Sequence, residues 1–163
     1  MRRPLVVLVL AALLAALCMA PALAIARSEQ TSADGEWTWV NDSFREKVHD
    51  KGSAFLRGDE TGTWTGTFDG ESHDDFIGHV NASGELHGML LVEFDNVSVN
   101  GAVGGLRMRL SWYVNESYSF GGQWKIVSGS GELRHLRGEG QWQWYDDVGA
   151  EGGARYSGIT WEQ

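Results

Sequence analysis

Hydrophobic and polar residues alternate with a period of two along most of the chain after residue 35, which is the pattern of β-strands with one buried face. The clearest case is residues 105–114, where the even positions are apolar up to Trp112 and the odd positions between them are polar. Eight segments predict strands on this basis: residues 36–40, 61–68, 75–80, 86–99, 105–114, 118–127, 140–145 and 155–161.

Short turn sequences separate these segments. Asp69-Gly70, Ser83-Gly84 and Asn100-Gly101 each have the composition of a tight turn, whereas residues 42–52 are either a short helix or an irregular connection. Consecutive antiparallel strands avoid open edges most simply by closing into an up-and-down barrel. We therefore predict an all-β, calycin-like, eight-stranded antiparallel up-and-down β-barrel over residues 36–163. The interior of such a barrel is filled by side chains or holds one small ligand.

The N-terminal 24 residues have the pattern of a helical secretory signal peptide. Arg2 and Arg3 precede an apolar run over residues 5–17, and Ala22-Leu23-Ala24 matches a cleavage site. The run is shorter than the roughly 18–20 residues that a membrane-spanning helix needs. We expect cleavage after Ala24, a secreted or extracytoplasmic location and a disordered stretch over residues 25–35; the alternative is an uncleaved N-terminal membrane anchor.

Removal of the signal changes the composition in an informative way. The remaining 139 residues keep all 22 glycines and all eight tryptophans but contain neither proline nor cysteine, so no disulfide can form and the core alone must hold the fold. They carry 11 basic and 22 acidic residues, a net charge of −11. This charge disfavours nucleic acids and anionic membranes, and leaves sugars, cations and basic proteins as candidate partners.

Four of the five asparagines stand in Asn-x-Ser motifs, whereas chance would place about one there. The candidate N-glycosylation sites are Asn41, Asn81, Asn96 and Asn115. The alternative is that asparagine and serine both favour turns. If the turns after strands one, three and five hold Asn41, Asn81 and Asn115, glycans would crowd one end of the barrel. The loops at residues 69–70, 100–105, 129–140 and 146–153 would then form the opposite end, which we expect to be the mouth for a ligand.

Several segments occur in the order and spacing of a known family: Thr61-Gly-Thr-Trp-Thr-Gly-Thr-Phe68, Phe120-Gly-Gly-Gln-Trp124, Ser128-Gly-Ser-Gly-Glu-Leu133 with Leu136-Arg-Gly-Glu-Gly140, and Tyr156-Ser-Gly158. Over roughly its last hundred residues the chain therefore resembles the domain-of-unknown-function family 3224. That family looks like the allene oxide cyclase and dirigent type of eight-stranded barrel. The resemblance implies a closed barrel, with the glycine-rich segment 129–140 as a corner, and it supplies no activity.

Catalytic motifs are scarce in the sequence. No serine or cysteine stands in a nucleophile elbow, and we predict no catalytic residue, metal ligand or cofactor. His73-Asp74-Asp75 with His79 has ligand chemistry for a metal, but neighbouring residues of a strand point to opposite faces, so a solvated turn is the favoured interpretation. Glu93 is the one strand acid whose face the pattern leaves open.

Aromatic residues give the strongest functional signal. Those on the apolar side of their strands are either barrel core or the lining of a cavity whose indole N–H groups orient an apolar ligand; stacking on sugars is a third alternative. The candidate ligand-binding residues are Trp64, Phe68, Trp112, Trp124, Trp142 and Trp144.

These patterns favour a non-catalytic secreted barrel that binds a small apolar or glycan ligand or a cell-surface partner. The alternative is a cyclase-like or isomerase-like enzyme that acts inside the barrel. A buried Glu, Asp or His that reaches the cavity would favour the enzyme.

Overall fold

The computed structural model describes residues 29–49, 52–114, 120–145 and 152–163, and in these residues it consists of eight strands and one short 3-10 turn. The strands are β1 (Thr31–Val48), β2 (Ala54–Gly66), β3 (Phe68–Val80), β4 (Leu86–Val99), β5 (Ala102–Val114), β6 (Phe120–Gly129), β7 (Leu136–Trp144) and β8 (Gly152–Glu162). Each strand pairs antiparallel with the next, and β1 also pairs with β8. The predicted all-β, eight-stranded up-and-down barrel is therefore confirmed.

Several predictions fall wholly or partly on residues outside these ranges. They are the signal peptide over residues 1–24, the disordered stretch 25–35, the connection 42–52, the sequon at Asn115, the strand over 118–127 and the loop at 146–153. Among the residues that are described, no helix is long and apolar enough to cross a membrane.

The first strand is much longer than the sequence pattern indicates. We expected disorder up to residue 35 and a helix or irregular connection over 42–52, but β1 runs without interruption from Thr31 to Val48. Its beginning pairs with β8, and its end pairs with residues 54–59 of β2. Backbone hydrogen bonds make these pairings, so the side chains need not alternate in polarity, and the pattern was not visible in the sequence.

One of the predicted turns also differs in position. The β2–β3 turn lies at Gly66-Thr67, where Gly66 has φ +100°, so Asp69-Gly70 belongs to β3 and not to a turn. The Asn100-Gly101 turn is confirmed, with φ of 53° and 88°.

The glycine-rich segment 129–140 divides into a short connection and a strand. Residues 136–140 belong to β7, and the 3-10 turn Gly131–Leu133 folds over the end of the barrel. Leu133 is buried there, while Glu132 accepts a hydrogen bond from the Val103 N–H at 2.8 Å. This end of the barrel, formed by residues 66–67, 100–101 and 130–135, is called the closed end.

Tryptophan rings in the interior lie directly against wall positions that have no side chain. The Trp112 ring lies over Gly78 and Gly88: a Cβ at Gly78 would be 2.5 Å from Trp112 Cη2, and a Cβ at Gly88 would overlap the ring. Glycine is required at both positions because the ring occupies the volume that any other side chain would need.

We expect Gly88→Ala to lower the free energy of unfolding by about 1–3 kcal/mol, because the added methyl group forces Trp112 out of its place. Urea unfolding followed by tryptophan fluorescence measures this change. His87→Ala, at the exposed neighbouring position of β4, is the matched control and should change stability by less than about 0.5 kcal/mol. Equal stability of the two variants would contradict the close approach of Trp112 to the wall.

Candidate functional site

A cavity of about 170 Å³ opens inside the barrel opposite the closed end. This end, called the cavity end, lies near the β3–β4 connection at residues 81–85. Pockets for drug-sized ligands usually enclose about 300–1,000 Å³, so the cavity suits a ligand of few heavy atoms. Six aromatic residues line it: Trp37, Trp39, Phe76, Trp112, Phe120 and Trp142.

A larger depression of about 1090 Å³ lies on the outer wall of the barrel. Exposed apolar and charged side chains line it, among them Ile77, Met89, Arg109 and Lys125. We place the candidate site in the interior instead, because buried titratable groups converge there.

The aromatic walls consist of rings at steep angles to one another. Trp37 and Trp142 meet edge to face at 5.6 Å between ring centroids, and Phe120 meets Trp142 in the same way at 5.1 Å. Trp39 lies beside Trp37 with a centroid distance of 4.6 Å. The Trp142 N–H donates to the Ser111 carbonyl at 3.0 Å, which fixes that ring on the wall. The lining is therefore rigid and presents both ring faces and ring edges.

A glutamate lies among these aromatic rings. Glu60 is on the inner face of β2, at the same parity as Trp64, and only 6% of it is exposed. Burial is the main cause that raises its pKa to about 8, and the nearby carboxylates of Asp74 and Asp42 add to the effect. Around neutral pH Glu60 therefore holds a proton, which an ordinary glutamate would have lost.

A second buried carboxyl group faces the interior directly opposite the first. Asp74 on β3 pairs in register with Glu60 and is 3% exposed. Burial raises its pKa to about 7; the Ser72 hydroxyl partly offsets this, and Asp75 adds a smaller increase. Neither oxygen of Asp74 has a hydrogen-bond partner of good geometry among the described residues.

This aspartate and an unpartnered indole both lie against Gly62. A Cβ at Gly62 would lie 2.5 Å from Ser72 Oγ and 3.0 Å from both Asp74 Oδ2 and Trp37 Nε1, so the groups are packed closely around the bare backbone. The Trp37 N–H also lacks a partner within the described part of the chain. A buried acceptor and a buried donor without partners thus lie close to Gly62, and such groups are rare in folded proteins.

The candidate aromatic residues of the sequence fall into two groups. Trp112 and Trp142 line the cavity, and Trp144 lies near its rim with 37% exposure, in edge contact with Phe120. The others pack as core toward the closed end: Trp64, Phe68 and Trp124. Trp64 donates to the Ser72 hydroxyl at 3.0 Å and stacks on Trp37.

The histidine and aspartate cluster is split by the sheet. Asp74 points inward and is buried, whereas His73 and Asp75 are exposed on the outer face. Glu93, whose face the pattern left open, also points outward and forms an ion pair with Arg107 at 3.0 Å.

Sequence reasoning missed Glu60, Asp74, Trp37, Trp39 and Phe120 as site residues. The signal for the two acids was present: continuing the alternation backward from Trp64 reaches Glu60, and continuing it backward from Phe76 reaches Asp74. Both were lost because the predicted strands started one residue too late, at residues 61 and 75.

The cavity lies at the end where glycans were expected, so the predicted mouth was at the wrong end. The error has a topological cause, because residues 146–151 join β7 to β8 and these strands meet at the cavity end. Asn41 lies within β1 and lines the cavity, and Asn96 is exposed within β4. At Asn81 the side-chain oxygen accepts from the Ser83 hydroxyl at 2.7 Å, so a turn also explains that sequon.

Comparison with solved structures shows the fold. The chain is similar to a protein of unknown function of the DUF3224 family from Shewanella oneidensis MR-1, with a TM-score of 0.60 and 14% identity over 83% of this chain and 99% of that chain. It is also similar to two pterocarpan synthase dirigent proteins. For GePTS1 the TM-score is 0.47, with 15% identity over 88% and 95% of the two chains, and for PsPTS1 it is 0.48, with 11% identity over 82% and 96%.

The resemblance seen in the sequence is thus confirmed as a shared barrel fold. No family model and no curated protein matches the chain.

The two buried carboxyl groups predict an unusual pH dependence of stability. In the unfolded chain they ionise near pH 4, but in the folded protein they hold protons to about pH 7 and 8, so the folded state binds more protons between these limits. The free energy of unfolding should therefore fall as pH rises from 5 to 8, by up to about 1.4 kcal/mol per pH unit for each group.

We expect Asp74→Asn to make the free energy of unfolding fall less steeply between pH 5 and 7, because the amide does not titrate and the contribution of Asp74 is lost. Urea unfolding at half-unit pH steps measures the slope. Glu71→Gln, an exposed position on the same strand, serves as the control. Identical slopes in the two variants would show that Asp74 is not a buried titrating group.

Proposed function

We propose that this protein is a secreted barrel that holds one small ligand in its aromatic cavity. The apolar body of the ligand lies against the indole rings, and a polar or charged group of the ligand points toward Glu60. The observation that carries the proposal is that an open space and buried polar groups without partners occur together at one end of a closed barrel. Ligand sites are typically concave and apolar, with few polar groups that fix orientation.

The asymmetry of the barrel supports this proposal. Toward the closed end, Phe68, Trp124 and Tyr156 pack in mutual ring contact. Toward the cavity end, the Trp39 ring is only half-buried and Asn41 is exposed. A protein that needed only a filled core would not keep Glu60 and Asp74 inside, because a buried carboxyl group without a partner costs free energy.

A second candidate function is an isomerase-like or cyclase-like activity in the same cavity. Glu60 is a proton donor near neutral pH, and Asp74 titrates close to pH 7, so the pair has one group to give a proton and one to accept it. Pairs of carboxyl groups in environments that separate their roles are typical of acid–base catalysis. The specific observation in favour is their placement directly opposite each other on β2 and β3.

Secretion and glycosylation belong to the same proposal. We expect the protein from its native source to begin at Ile25 and to carry glycans at its Asn-x-Ser motifs other than that of Asn41, which lines the cavity. Intact-mass measurement and glycopeptide mapping test this. A chain that keeps residues 1–24 would contradict signal cleavage. Absence of glycans from every one of these Asn-x-Ser motifs would contradict glycosylation.

The eight tryptophans provide a site-resolved test of ligand binding, because each indole N–H gives its own signal in a ¹H–¹⁵N spectrum. Titration with small fragments that combine an apolar body with one polar group should shift the signals of Trp37, Trp39 and Trp142, which line the cavity. The signal of Trp161, which lies outside the cavity lining, should not move.

Trp39→Ala should weaken the binding of such a fragment about tenfold, equivalent to about 1.4 kcal/mol, because it removes one aromatic wall. Trp161→Ala, on β8 and away from the cavity, is the control. Shifts confined to Trp161, or no shift with any fragment, would refute binding in the cavity. A separate incubation of the fragment with the protein in deuterium oxide, followed by the C–H signals of the fragment, separates the two functions, since only an acid–base enzyme would exchange deuterium into the fragment.

A further inference from the structure

The cavity has the composition of an aromatic cage. Indole rings carry negative charge density on their faces, and a cation within about 6 Å of a ring centroid is attracted to it. Trp37, Trp39, Trp112 and Trp142 all line the space, and the steep angles between rings direct more than one of them toward it. A rounded group with positive charge on its surface can contact several rings at once, which a flat ligand cannot do.

The charged groups around the cavity have a single sign. Glu60 is among the lining residues, Asp74 lies beside it in register on β3, and Asp42 is near enough to act on the Glu60 carboxyl. No lysine, arginine or histidine is among the described residues that line the cavity. Among the described lining residues no cation therefore balances the acids, and in a medium of low dielectric constant this makes a cationic ligand favourable.

We propose that the ligand is a small methylated ammonium cation, a free molecule with a trimethylammonium group, which sits among the indole rings with its charge facing Glu60. This inference rests on the proposed ligand-binding function and names the ligand's chemical class.

Methylation of the ammonium follows from the lining. A primary ammonium has three N–H donors, and the aromatic and aliphatic side chains that make up most of the lining cannot accept from them. A trimethylammonium group has no donors and leaves none unsatisfied. Its methyl groups contact the rings, and its charge is spread over their surface.

Proton linkage makes the proposal sharper. Glu60 on β2 is the one titratable side chain among the described residues that line the cavity, and the carboxyl groups of Asp74 on β3 and Asp42 on β1 act on it. A bound cation favours the ionised form of Glu60, whose pKa of about 8 keeps it protonated in the empty site. Affinity should therefore rise with pH up to about 8, and binding at neutral pH should release a proton.

The decisive experiment compares choline with 3,3-dimethylbutan-1-ol, its neutral analogue in which carbon replaces nitrogen. Binding to the full mature chain is measured by calorimetry and by the indole signals. We expect choline to bind at least tenfold more tightly than the alcohol at pH 9, with a smaller advantage at pH 6. Equal or tighter binding of the alcohol would overturn the proposal that the ligand is a cation, but would leave the proposed ligand binding in the cavity intact. Absence of cavity shifts with both probes would overturn the proposed function itself.

Two further probes test the finer points. Ethanolamine, the unmethylated analogue, should bind at least tenfold more weakly than choline; equal affinity would overturn the requirement for methyl groups. Phosphocholine should also bind more weakly, because its phosphate is repelled by Glu60 and Asp42. Tighter binding of phosphocholine would overturn the proposal that the ligand is a free cation, and would indicate a lipid head group instead.

Glu60→Gln keeps the size of the side chain and removes its charge. It should lower choline affinity at least tenfold at pH 9 and abolish the preference for choline over the alcohol. Glu71→Gln, on the outer face of β3, is the matched control and should bind choline as the unmodified protein does. A preserved preference in a folded Glu60→Gln protein, as judged from its indole spectrum, would overturn the role of this carboxylate.

Discussion

The fit of tryptophan rings against bare stretches of barrel wall is the constraint on which the rest of the structure depends. Trp112 lies on Gly78 and Gly88, and Trp124 lies in the same way against Gly140 and Gly158. Each ring fills volume that several smaller side chains would otherwise fill, but it can do so only where the wall has no Cβ. The glycines thus belong to the packing of the core, and not only to turns.

This mode of packing also creates the cavity. The closed end is filled because the turn Gly131–Leu133 adds Leu133 to the aromatic core, whereas no described residue plays that part at the cavity end. Rigid rings cannot relax into the space that remains. Glu60 and Asp74 lie where the filled half meets the open half, so they are shielded from water yet close to a volume that a ligand can enter. Burial then raises both pKa values toward neutral pH, with smaller increases from Asp74 and Asp42 at Glu60 and from Asp75 at Asp74.

The alternation of residues predicted the class and closure of the fold well, since period two is a local property of each strand. It failed at β1, whose ends pair through the backbone without an apolar stripe, and at the β2–β3 turn, where Gly66 and not Asp69-Gly70 provides the bend. For the site, the pattern left core and cavity lining open for all the inward tryptophans; Trp112 and Trp142 line the cavity, whereas Trp64 and Trp124 pack in the core. Strand parity says that a side chain points inward and does not say whether the interior at that level is filled.

The sequence alone therefore determined the barrel, its strand number and the inward direction of its aromatic residues, because these follow from local periodicity and from the need to pair strand edges. Only the tertiary structure decided which end of the barrel is open and which acids face it. Glu60 and Asp74 are fourteen residues apart in the chain, and they become a pair only through the register of β2 and β3. That register depends on turn position and on contacts with neighbouring strands, which no single segment of the sequence contains.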